Sequence, residues 1–537
     1  MRKENRWTVY DEKQLQDLNA LAEEYKSFLD SAKTEREAVV EMTKRARQAG
    51  FRDLAEVVAK GEKLKAGDKV YAVWMKKTMA LFTVGTEPLE KGLRILGAHI
   101  DSPRLDLKQV PLYENTEMAF LDTHYYGGVK KYQWTTIPLA IHGVIAKKDG
   151  SVVDVKVGED ETDPVFCVTD LLIHLSKDQM EKKLGDAIAG ENLDVLAGSR
   201  PIAAKSCEAS ESKAAKSCVA SESSVTKSCG AAESKVAKSC VASESSVTKT
   251  CGTAENNAAN SCGIVEENDA SKAVGRGDGN SKEKDPVKQN ILAILKEKYG
   301  MEEDDFLSAE LEIVPAGKAR DLGFDRSMIA AYGQDDRVCA FSSLDAFLRV
   351  ENPQYTSCCL LTDKEEIGSV GATGARSHFF ENALAELMNC CGEYSDLALR
   401  RALSASRMLS SDVSAAFDPL YAEAYESKNS AYFGHGIVYN KYTGARGKSG
   451  SNDANAEYFA WVRRVMDEAD VAFQTCELGK VDVGGGGTIA YICALYGMDV
   501  VDAGVAVLNM HAPMEVTSKS DLFEARNAYV AFLTAQE

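Results

Sequence analysis

Residues 358–369 read CCLLTDKEEIGS. An apolar run, Cys358 to Leu361, stops in Asp363, Lys364 and two adjacent glutamates, Glu365 and Glu366, before Ile367 and Gly368. The run has the composition of a buried strand bounded by a turn. Two neighbouring carboxylates at its end repel each other unless a cation lies between them or one keeps a proton. Along an extended backbone they would also point to opposite sides. If both are to face one cavity, a turn is needed, and Gly368 is a residue free to take it.

Other segments end in the same way. LRILGAHID (93–101) delivers His99 and Asp101, SRMLSSDVSAAFDP (406–419) delivers Asp412, and VAVLNMHAPME (505–515) delivers His511. YGQDDRVCAF (332–341) puts Asp335 and Asp336 just before a helix-like run. Further strand-like runs are KVYAVWM (69–75), TMALFTV (78–84), SVVDVKVG (151–158) and LEIVPAG (311–317). Helical patterns cover 11–30, 35–48, 337–350, 454–470 and 521–535. This alternation predicts an α/β fold with a mixed, mostly parallel central sheet flanked by helices.

In such sheets ligands gather beyond the carboxyl ends of the strands. The five acidic or histidine-bearing segments can therefore converge although they lie far apart in sequence. Singly each has a plainer reading: a histidine after a strand is usually a satisfied loop group, and DD before a helix is usually an N-cap pair. Jointly they make two imidazoles and several carboxylates, a nitrogen and oxygen donor set suited to zinc, cobalt or manganese. Crowded carboxylates without a cation would be driven to protonate.

Residues 107–323 read differently, with shorter strand signals and the turn glycines of YYGGVKKYQW (125–134). They are expected to form a β-rich domain inserted into a first domain made of 1–106 and 324–537. Within the insert, Cys207, Cys218, Cys229, Cys240, Cys251 and Cys262 recur every eleven residues. That period would align them in one stripe on a helix. The surrounding 197–284 segment is rich in Ser, Thr, Lys and Glu, and a solvated low-complexity segment is expected. The other eight of the 14 cysteines sit in or beside apolar runs, and no C-x-x-C occurs, which argues against a thiolate zinc site.

With 537 residues and a net charge of -19, the chain is long enough for more than one domain and is a poor partner for nucleic acid or an anionic membrane. No apolar run approaches the ~18 residues that span a bilayer, and the polar N-terminus lacks a signal-like core. A soluble cytoplasmic protein is expected.

In order along the chain, GAHIDSPRLDLK (97–108), GQDDRV (333–338), TDKEEIGS (362–369), SSDVSAAFDP (410–419) and NMHAPMEV (509–516) resemble the aspartyl aminopeptidase family of dinuclear zinc exopeptidases, its bacterial members above all. GIVYNKYTGARGKSGSNDAN (436–455) and DVGGGGTIA (482–490) fit as well. The resemblance covers nearly the whole chain apart from the cysteine repeat.

The resemblance implies a zinc-exopeptidase fold with an inserted dimerisation domain and two zinc ions per subunit, with cobalt or manganese as alternatives. Asp335 would bridge the ions through a cis Asp335–Asp336 peptide. His99 and Asp412 would complete one site, Glu366 and His511 the other. Asp101 would orient His99, and Glu365 would be the general base. His174, in DLLIHLSK (170–177), would reach a neighbouring subunit's active site, and Lys441 would contact substrate. The implied activity is removal of N-terminal residues from short peptides. A preference for acidic residues would need a cation such as Lys441, Arg446 or Lys448. The implied assembly is a dodecamer built from dimers. Two other readings remain: another dinuclear metallohydrolase (deacylase or carboxypeptidase), or a non-enzymatic assembly or cargo protein that keeps the fold.

Overall fold

The computed structural model describes residues 3–202 and 284–536. The six-cysteine repeat lies outside the described residues.

The opening apolar run forms the strand Ser357–Thr362. It lies inside a nine-stranded sheet, between Thr78–Thr83, antiparallel to it, and Arg94–His99, parallel. Arg407–Ser410 and Asp499–Gly504 continue the parallel series, and Ile437–Asn440 and Phe473–Thr475 close that edge. Both faces are covered, so side chains that alternate along each strand are apolar on both sides. Cys359, Leu361, Leu96, Leu409 and Val501 face one core, packed with Phe341 and Tyr529. Cys358, Leu360, Ile95, Met408 and Val500 face the other, packed with Leu384 and Leu403.

The helices form where capping and periodicity coincide. Glu12–Ser31 starts on an Asp11 capping box with Gln14, and Glu35–Gln48 on a Thr34 box with Glu37. Gln334–Leu348 is the central helix of one layer, with Phe341 against Tyr25 and Phe28.

A second, seven-stranded sheet is antiparallel throughout, with Arg104–Asn115 and Met118–Tyr126 near its centre and Ala309–Pro315 returning beside the first. The helix Pro286–Tyr299 packs Val287, Ile291 and Leu295 onto it. Its first turn donates to the Glu114 carboxylate from Val287 N and Lys288 N. Where the two sheets meet, Arg104 is buried among Asp106, Glu312 and Glu35, at 2.8, 3.1 and 3.4 Å, and stacks on the Tyr126 ring.

A small five-stranded sheet changes one expectation. VAVLNMH is not a strand of the central sheet: only Ala506–Leu508 is extended, it belongs to the small sheet, and the chain turns at Asn509 with φ 60°. Asp335 likewise follows Met328–Ala331 of that sheet, whose Ala331 pairs with Glu515 of Glu515–Ser518.

Candidate active site

Three adjacent parallel strands end together. Their register sets Thr362 opposite His99 and Ser410 opposite Gly97, so Asp412, two residues beyond Ser410, comes level with His99. The small sheet supplies the other side, with Asp335 at the start of its helix and His511 on the turn after Ala506–Leu508. The Asp335–Asp336 peptide bond is cis.

The paired glutamates lie on the turn the sequence required. Lys364 takes φ 68°, Glu365–Ile367 make one 3-10 turn, and Gly368 follows at φ 93°. Asp101 fastens this turn: its carboxylate accepts from Glu365 N at 3.1 Å, Glu366 N at 3.2 Å and the Tyr126 hydroxyl at 2.9 Å. The same carboxylate lies 3.3 Å from His99 Nδ1. Burial works against ionising Asp101, yet its bonds with His99 hold its pKa below the usual carboxylate range.

Asp335 stands between the two imidazoles. Its Oδ1 is 3.2 Å from His99 Nε2 and its Oδ2 is 3.2 Å from His511 Nε2. His511 Nε2 also lies 3.5 Å from Glu366 Oε2, and His99 Nε2 lies 4.0 Å from Asp412 Oδ1. His511 Nδ1 donates to Gly128 O at 2.9 Å, which leaves Nε2 to face the carboxylates. Asp335 itself is held from behind. Its N–H donates to Glu515 Oε2 at 3.0 Å, His511 N donates to Glu515 Oε1 at 2.8 Å, and Ser102 Oγ donates to Asp335 O at 2.5 Å.

These groups suit a cation. His99, Asp335 and Glu366 offer atoms within 4.8 Å of one another, and so do His99, Glu365 and Asp412. Glu366 Oε1 is buried with no hydrogen-bond partner among the described residues. Burial lifts the Glu366 and Asp412 carboxyls well above their ordinary range and Glu365 to about 7. Burial opposes protonation of His511, but Asp335 and Glu366 raise it to about 10. Positive charge among these groups lets every carboxylate ionise and frees the imidazole nitrogens.

The cluster opens into a cavity of about 490 Å³. Val413, Leu478 and Met510 give it apolar wall, Thr443 and Tyr491 neutral polar wall. Lys441 is exposed; the cavity wall takes Asn440 and Thr443 on either side of it instead. His174 is exposed too, on the 3-10 turn Ile173–Leu175, and is not brought to the cluster of its own chain. Four contributors escaped sequence reasoning. Glu515 was in the quoted VAVLNMHAPME stretch but not singled out. Gly127 and Gly128 read only as turn glycines and Tyr126 beside them carries no signal of its own, yet a Cβ on Gly127 would lie 3.2 Å from Glu366 Cβ. Asp502, which also lines the cavity, is a lone acid in the otherwise apolar VVDAG, a pattern that marks a buried carboxylate.

The family described as aminopeptidase I zinc metalloprotease (M18) matches residues 28–261 and 244–533. A probable M18 family aminopeptidase 1 of Clostridium acetobutylicum is 52% identical over 529 residues, covering 98% of this chain and 97% of that protein. The alignment thus also runs through the cysteine-repeat segment. The crystal structure of aminopeptidase I from the same organism superposes with a TM-score of 0.80 at 48% identity, covering 100% of both chains. An M18 aminopeptidase structure from Thermotoga maritima gives 0.81 at 38% identity, covering 99% of each.

Proposed function

The chain belongs to the M18 family of zinc aminopeptidases, and from that premise we propose that two zinc ions sit among His99, Asp335, Glu366, Asp412 and His511, with Glu365 moving the proton. The enzyme is a metal-dependent aminopeptidase. The observation that carries the two-ion reading is Asp335, whose two oxygens each face a different imidazole at 3.2 Å. Asp335 would be shared, His99 and Asp412 would complete one site, and Glu366 and His511 would complete the other. Zinc bound there would supply Lewis acidity toward the scissile carbonyl and lower the pKa of the attacking water.

The chain's own groups do the rest. Glu365 accepts the water's proton and returns it to the leaving amine. Asp101 keeps that base in place through the Glu365 and Glu366 N–H groups and keeps His99 oriented. Among the described residues no lysine or arginine lines the cavity, while Val413, Leu478 and Met510 do. This wall supports a neutral N-terminal residue over an acidic one.

The exposed leucines and isoleucine around His174 (Leu171, Leu172, Ile173, Leu175) support a homo-oligomer in which the seven-stranded sheet makes the dimer contact and dimers build a dodecamer. Among the described residues no helix is long and apolar enough to cross a membrane. A cytoplasmic enzyme acting on short peptides is the reading this fits.

The test pairs metal analysis with a panel of aminoacyl p-nitroanilides and their N-acylated counterparts. Hydrolysis of free-amine substrates, abolished by chelation and restored as about two zinc ions per chain rebind, is the expected result. Release of the acyl group from the N-acylated series, leaving the free-amine anilide uncut, would make the enzyme a deacylase. Turnover by metal-free protein would remove the zinc reading altogether.

A further inference from the structure

After the zinc ligands and Glu365 are assigned, one carboxylate in the cavity has no task. Asp502 lies inside the strand Asp499–Gly504, between Val501 and Ala503, and is only 2% exposed. Its backbone pairs with Ser410 on one side and Asn440 on the other, two residues short of the level of Asp412. Asp502 lines the same cavity as Glu365. Oδ1 accepts from the Thr488 hydroxyl at 2.5 Å, directly after the Gly484–Gly487 run. Oδ2 is buried and has no hydrogen-bond partner among the described residues.

A buried carboxylate oxygen without a donor is costly, and such groups call for an explanation. The cavity wall offers no lysine or arginine among the described residues. The substrate brings a cation. An aminopeptidase substrate carries an α-ammonium only two bonds from the scissile carbonyl carbon. Its acceptor must therefore share a cavity with the base. We propose that Asp502 binds the α-ammonium group of the substrate's first residue, through a charge-assisted hydrogen bond to Oδ2, with Thr488 fixing the carboxylate. The inference rests on the aminopeptidase reading and deepens it by naming the group that selects a free amino terminus. An acylated or internal residue would place a neutral amide there and leave Asp502 desolvated and unpaired, which is how such a site rejects it.

The test uses zinc-loaded full-length enzyme and a pair of inhibitors, leucine hydroxamate and 4-methylpentanohydroxamate, which differ only in the α-amine. Wild type should bind the amine-bearing compound about 10- to 100-fold more tightly, the range for a hydrogen bond to a charged partner. In Asp502→Asn that preference should fall to within about threefold, with zinc content and affinity for the des-amino compound nearly unchanged. Thr488→Val keeps the carboxylate but frees it, and should lose part of the preference; it also serves if Asp502→Asn folds poorly. The proposal is overturned if Asp502→Asn keeps the preference, if it weakens both inhibitors equally, or if wild type does not distinguish them. Each of those results leaves leucine p-nitroanilide hydrolysis by wild type intact, whereas loss of that hydrolysis would strike the aminopeptidase reading itself.

Discussion

Glu365→Gln tests the proposed division between the base and the metal ligands. The substitution keeps the side chain's shape and leaves the Glu365 N–H on Asp101 at 3.1 Å, so the 3-10 turn and Glu366 should stay in place. What is lost is the ability to take a proton and hand it back. Burial raises this carboxyl to about 7, and cations beside it favour the ionised form, the one that accepts a proton. General-base contributions of this kind run to about 10²–10⁴ in rate, or about 3–5.5 kcal/mol of barrier. The expected outcome is kcat on an aminoacyl p-nitroanilide down by that factor, KM within a few-fold, zinc content unchanged, and the acid limb of the kcat profile removed. The assay is steady-state kinetics across pH with metal analysis on the same sample. A kcat within tenfold of wild type, zinc retained, would refute the base role. Loss of one zinc would refute it differently: His99, Glu365 and Asp412 also lie within 4.8 Å of one another, and Glu365 would then be a ligand.

Three further outcomes follow from the geometry. Tyr126→Phe removes the 2.9 Å hydroxyl donor to Asp101 and should cost about 1.5–3 kcal/mol in urea unfolding and about tenfold in kcat/KM; wild-type values for both would show that Asp101 does not need it. Gly127→Ala places a Cβ 3.2 Å from Glu366 Cβ at φ 76°, and should lower zinc affinity by about tenfold or more. Gly150→Ala, at φ 87° with nothing within 4 Å, should show only the backbone penalty of ~1–2 kcal/mol and unchanged zinc affinity; equal zinc affinities for both variants would refute the contact. Zinc's increment to Tm should grow from pH 5 to pH 8. In metal-free protein the raised pKa values of Glu366, Asp412 and His511 mean the folded state holds more protons than the unfolded one, so its stability falls as pH rises, while zinc must displace those same protons. An increment that is flat or falls with pH in a calorimetric titration would contradict this.

The central sheet was legible because its strands are apolar on both faces and end in residues that a core would not tolerate. CCLLTDKEE states both facts, and the buried pairs Cys358/Leu360 and Cys359/Leu361 show why the run has no polar alternation. Resemblance to a family assigned the seven clustered residues their roles. The small sheet was not legible. VAVLNMH reads as one strand by composition, but the strand ends after Leu508, where Asn509 turns with positive φ, and no hydrophobic period announces such a break. Tyr126 and Gly127–Gly128 were missed for a related reason. They act across sheets, through a hydroxyl on Asp101 and a close approach to Glu366, and period-two patterning records only which face is buried. Lys441 drew attention by charge and motif, yet its exposed position beside Asn440 could not be read from spacing.

Hydrogen-bond donors sort the acids of this site into two kinds. Asp101 accepts from two backbone N–H groups and a tyrosine hydroxyl, and Glu515 accepts from the N–H groups of Asp335 and His511. These two are satisfied by the protein and hold the scaffold. Glu366 Oε1 and Asp502 Oδ2 are also buried but receive no donor from the described residues. A fold that supplies backbone donors to Asp101 and Glu515, yet withholds them here, leaves room for positive charge from outside, which the proposed metal ion would bring to Glu366 and the proposed substrate ammonium to Asp502. The division makes the site's two demands separable, because loading zinc should relieve the first while leaving the second to be met only when a free amino terminus arrives.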